Sequence, residues 1–91
     1  MPYIKPEHRA KLPVPDFDTQ TPGELNYVLT KVCLDYIEDE GGVGYTTLND
    51  VVGALECCKL EMYRRLIGPY EDKKIALNGD VYHGKKGKSL V

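Results

Sequence analysis

Apolar positions recur at helical spacing through two long stretches of the chain. Leu25, Val28, Leu29, Val32 and Tyr36 mark one face of the first stretch, with Cys33 and Ile37 widening it. Thr21, Pro22 and Glu24 precede that face and read as N-cap, first helical position and third helical position. They make a capping box with the favoured proline inside it. Gly41 and Gly42 close the segment, since glycine adopts positive φ without steric cost. The run Glu38-Asp39-Glu40 lies at the C-terminal end, where the helix macrodipole disfavours acid.

The second stretch begins at Thr46 or Thr47, with Thr47 and Asp50 resembling a capping box. Leu48, Val51, Val52, Leu55, Met62 and Leu66 trace its main apolar face. A second stripe runs through Gly53, Cys57, Leu60 and Ile67. The small residues Gly53, Ala54, Cys57 and Cys58 invite close approach by another helix, and a second copy of the chain is the expected neighbour. Gly68 is expected to end this helix. Pro69 then starts a shorter one, with Glu71 and Asp72 in its first turn and Asn78-Gly79 as its stop.

Four of the six prolines (Pro2, Pro6, Pro13 and Pro15) fall in residues 1–20 and rule out a long helix there. One helical turn at "PEHRAKL" is compatible with Pro6 at its first position. The rest is expected to run extended, docking Tyr3, Ile4, Leu12, Val14 and Phe17 on the helices. The pattern therefore predicts a mainly α protein: two long helices plus one shorter helix, with a proline-rich N-terminal arm, in an oligomer. The expected organisation is an extended arm over 1–20, a helical domain over 21–82 and a flexible basic tail over 83–91, in which "DVY" adds a short extended piece.

Composition narrows the function classes. Ninety-one residues suit one domain, and 42% hydrophobic residues with a formal charge of −2 describe an ordinary soluble chain. That balance argues against nucleic-acid and membrane partners, and no apolar run approaches the roughly 18 residues that span a bilayer. The N-terminus lacks an apolar signal region, so a cytoplasmic location is expected, in a bacterial host if the chain is phage-encoded. Cys33, Cys57 and Cys58 read as reduced core residues.

The phrases "PYIKPEHR", "GELNYVLTK", "NDVVGALECCKLEMYRR" and "PYEDKKIALNGDVY" together resemble a family of small uncharacterised proteins encoded by bacteriophages and bacteria. The resemblance covers residues 2–82. It implies an accessory role in a phage or prophage, and it carries over no catalytic residue.

Candidate chemistry concentrates in "EMYRRLIGPYEDKK". Glu61 is spaced to pair with Arg64 or Arg65 along one helix, and Glu71 and Asp72 offer either arginine a second partner. The same stretch presents an anion-binding set: Arg64 and Arg65 as guanidinium donors, Tyr63 and Tyr70 as stacking surfaces, and Lys73 and Lys74 as further charge. Asn26 and Tyr27 would join a polar pocket with Asn49 if the N-termini of the two long helices converged. Asp35, Glu38 and Asp39 could hold Mg²⁺ on one helix face, as in small all-α nucleotide pyrophosphohydrolases, but the paired glutamate motifs of those enzymes are missing. His8 and His83 lie in terminal regions, Cys57-Cys58 leaves no loop to wrap zinc, and "GGVG" lacks the Lys-Ser/Thr of a phosphate-binding loop. No cofactor is implied. The sequence favours non-enzymatic binding of a host protein or a small anionic, nucleotide-like ligand, with the hydrolase and a structural or scaffold role as alternatives.

Overall fold

The computed structural model describes residues 3–13, 16–83 and 86. Among them the chain is helical, with no strand: α1 (Pro6–Arg9), α2 (Pro22–Asp39), α3 (Tyr45–Met62), a π turn (Tyr63–Ile67) and α4 (Gly68–Asn78). The two long helices and the shorter one agree with the apolar periodicity. The chain resolves into two units, Met1–Cys58 and Lys59–Val91. The expected basic tail falls largely outside the described residues, as do Pro2, Val14 and Pro15.

In the first unit, α2 starts as its sequence dictates. Pro22 is in the first turn, and the Thr21 Oγ1 accepts the Glu24 N–H at 3.1 Å. The reciprocal contact differs from a standard capping box, because the Thr21 hydroxyl donates to Glu24 Oε2 at 2.9 Å. At the other end the Gly42 N–H reaches the Ile37 carbonyl at 2.8 Å and the Gly41 N–H reaches the Glu38 carbonyl at 3.4 Å. That pair of bonds is a Schellman motif, and Gly41 (φ 108°) and Gly42 (φ 92°) supply the positive φ it requires.

The start of α3 corrects the sequence expectation. Neither Thr46 nor Thr47 caps the helix. Tyr45 is already helical, and the Gly44 carbonyl accepts the first backbone bond, from the Leu48 N–H at 3.1 Å. Thr47 instead turns its side chain back. Its Oγ1 accepts the Gly44 N–H at 3.1 Å and donates to the Gly42 carbonyl at 2.7 Å. A hydroxyl can donate and accept at once, so one small side chain satisfies both sides of the turn. Thr47 is buried, as is Ile37, the one buried apolar residue among those described. The core of this unit thus sits at the closed end of a helical hairpin, around the 40–44 connection.

In the second unit, the expected break at Gly68-Pro69 is absent. The backbone stays helical and widens into the π turn, with the Gly68 N–H bonded to the Tyr63 carbonyl five residues back. Proline explains the widening. In an α-helix the Pro69 ring would clash with the carbonyl four residues earlier and would leave it without a donor, and a π turn relaxes that crowding. Gly68 is αR (φ −54°, ψ −54°) and does not terminate the helix. It is there for space: a Cβ would stand 3.2 Å from the Tyr63 carbonyl oxygen. α4 ends where Asn78-Gly79 predicts, with Gly79 at φ 87°. Beyond it "DVY" forms no strand. The Tyr82 N–H is held by Asp80 Oδ1 at 2.9 Å, a local side-chain turn.

Candidate functional site

Apolar stripes on α2 and α3 face each other across an open groove of about 340 Å³ in the first unit. Leu29, Val32, Cys33 and Tyr36 line it from α2, and Asp50, Val51, Ala54 and Leu55 from α3. The two helices meet where Tyr36, near the end of α2, reaches Asp50, near the start of α3. The Tyr36 hydroxyl donates to Asp50 Oδ2 at 3.2 Å. That bond, followed by desolvation and the nearby acids Asp50 and Glu40, raises the Tyr36 pKa above its ordinary value of 10.0. Asp50 is the one charged residue of the lining, and the tyrosine hydroxyl engages it.

The pH consequence has a definite sign. A group whose folded pKa is raised contributes stability below its unfolded pKa and loses it as pH rises through the folded value. The hairpin should therefore loosen at alkaline pH above the ordinary tyrosine range. In a helicity titration by circular dichroism, Tyr36→Phe should lack this alkaline step and leave the neutral-pH spectrum in place. An unchanged alkaline step in the variant would contradict the assignment.

The residues expected to bind an anion lie on the π turn and α4 in the second unit and on α2 in the first. Arg64 is ion-paired within its own helix, Nη2 to Glu61 Oε2 at 2.9 Å, at the i, i+3 spacing read from the sequence. Arg65 is exposed on the same π turn. The Lys74 ammonium lies 5.5 Å from the centre of the Tyr70 ring, within cation–π range. Lys73 is exposed on α4. Tyr63 and Lys74 line a separate hollow of about 530 Å³ together with Ile67, Ile75 and Tyr82, where Glu71 is also present. Arg64, Arg65, Tyr70 and Lys73 are not part of that lining.

Asn26 and Tyr27 belong to the first unit. The Asn26 carbonyl and Oδ1 accept the Thr30 hydroxyl at 2.8 and 3.3 Å. Tyr27 borders a hollow where Asp16–Thr19 of the arm meets the first turns of α2, beside Asp16, Asp18 and Glu24. Three carboxyl groups there oppose an anion. Neither Asn26 nor Asn49 lines that hollow. Asp35, Glu38 and Asp39 do not form a metal cage either: among the described residues no three His, Cys, Asp or Glu side chains gather to hold an ion.

Sequence reasoning missed Tyr36, Asp50 and Thr47 as a structural set. Tyr36 read as one more member of an apolar stripe, and Asp50 and Thr47 as cap residues. The available signal was a tyrosine at the end of that stripe, one short loop away from an acid in the first turns of the next helix.

The first unit is a helical hairpin with its apolar groove open. The chain belongs to a family defined as a domain of unknown function, DUF6899, whose model matches residues 1–81. No curated protein and no solved structure matches the chain. Among the described residues no helix is long and apolar enough to cross a membrane.

Proposed function

We propose that the chain acts as a homo-oligomeric accessory protein that works by binding, in the phage or prophage setting that its resemblance implies. One observation carries the reading. Ile37 is the single buried apolar side chain among the described residues, whereas Leu25, Leu29, Val32, Leu48, Val52 and Leu55 are 43–65% exposed. Stability comes from apolar burial set against a conformational cost of about 1–2 kcal/mol per ordered residue. Two long helices with so little buried between them gain too little to persist alone. Self-association supplies the missing burial and leaves the outer surfaces to meet a host protein.

The anionic-ligand reading has less behind it. Arg64 is already paired with Glu61, and Glu71 shares the hollow of Tyr63 and Lys74. Native mass spectrometry of the full chain purified from cells separates the readings. The expected result is a multiple of the monomer mass with no bound metabolite. A monomer at all concentrations would refute the oligomeric reading. A co-purified nucleotide or Mg²⁺-dependent hydrolysis of nucleoside triphosphates would favour the ligand or hydrolase alternatives, and open-ended assembly would favour a scaffold.

A further inference from the structure

The α2–α3 groove identifies which face closes the oligomer. We infer that two copies stack hairpin on hairpin through this groove, forming a two-fold four-helix bundle; the inference rests on the oligomeric reading above and names its interface.

Spacing is the first argument. On α2, Leu25, Leu29, Val32 and Tyr36 follow steps of four, three and four, and on α3 Leu48, Val52 and Leu55 follow four and three. Alternating steps of four and three keep a stripe on one side of a helix and are the pattern of bundle seams. Leu29, Val32 and Tyr36 of the α2 stripe and Leu55 of the α3 stripe line the groove, with Val51 and Ala54 beside them, and Leu25, Leu48 and Val52 flank it.

Area is the second argument. The seven stripe residues are 41–65% exposed. Half of the roughly 100 Å² that a Leu or Val side chain offers, taken over seven positions, is on the order of 350 Å². A standard interface buries about 800 Å² per partner, of which roughly 60% is apolar. The groove and its flanking positions together therefore supply most of the apolar area that one stable dimer needs.

Charge and obligation identify the occupant. Of the groove lining only Asp50 is charged, and Tyr36 already holds it, so two copies of a chain with formal charge −2 can meet here without opposing bare carboxylates. A hairpin that needs the burial in order to fold needs it from the moment of synthesis. A second copy is always present then, and obligate dimers of this kind have no stable folded monomer. The competing face, through Gly53 and Cys57 on α3, is also open. A Cβ at Gly53 would meet nothing within 4 Å, and Leu60, 56% exposed, is the one large apolar side chain that this face adds on α3.

The cysteines report on the two faces without mutation. Cys33 lies in the groove, and Cys58 is exposed outside its lining. In the intact chain at micromolar concentration, maleimide should label Cys33 more than tenfold slower than Cys58, with the protection lost on dilution in step with the fall in mass. Val32→Asp should bring the mass down to the monomer and abolish the protection with loss of helicity, while Gly53→Ala should leave the mass unchanged. Dimers in which Cys57 and Cys58 are protected and Cys33 is not would overturn the groove interface and leave the oligomeric reading standing. A Val32→Asp protein that stays dimeric and helical would do the same. A monomeric wild-type chain would end both.

Discussion

Replacing Ile37 by alanine should cost about 2–4 kcal/mol, the usual range for truncating a buried β-branched side chain. Ile37 is the apolar residue that the described chain does bury, at 8% exposure, and it sits where α2 meets the connection to α3. The same residue lends its carbonyl to the Gly42 N–H. Truncation leaves that backbone bond available but empties the space under it. A domain of this size holds on the order of 5 kcal/mol in total, so most of the stability is at stake. Urea unfolding followed by circular dichroism should show a lower midpoint with a similar slope. A change below about 0.5 kcal/mol would mean that the closed end of the hairpin is not where the fold is held.

Thr47→Val should cost about 1–3 kcal/mol although it keeps the shape, because it strands polar groups. The Thr47 hydroxyl serves the Gly44 N–H and the Gly42 carbonyl together, in a part-buried setting. Valine serves neither. Gly42 is in turn bonded through its N–H to the Ile37 carbonyl, so Thr47, Gly42 and Ile37 form one connected chain of contacts. The two substitutions should therefore be non-additive in a double-mutant cycle. Additivity within about 0.3 kcal/mol would show that the staple and the buried isoleucine act independently.

Helix existence was legible because it depends on local rules that each residue carries. Thr21-Pro22 and Gly41-Gly42 bracket α2 by capping chemistry alone, and Asn78-Gly79 does the same for the end of α4. The Glu61–Arg64 ion pair was legible for the same reason, being an i, i+3 contact. The start of α3 was less legible. Three residues around it (Gly44, Thr46 and Thr47) can each cap a helix, and the choice among them depends on how the preceding turn folds back, which is a matter of burial. The candidate site was scarcely legible. The Tyr36–Asp50 bond joins residues 14 apart, and the helical hairpin determines it, not spacing along one helix. Of the anion set, Tyr63 and Lys74 share one hollow and Arg64, Arg65, Tyr70 and Lys73 lie outside its lining, since successive residues of a helix point in different directions.

The π turn bears on that last point through phase. Each residue advances an α-helix by about 100°, and a turn holding one residue more than usual leaves every later side chain rotated by about that amount. Yet Tyr63, Ile67, Glu71, Lys74 and Asn78 line one hollow at steps of four and three, so a single face runs through the turn into α4. Gly68-Pro69 thus works as a splice, letting a proline enter the helix without interrupting it.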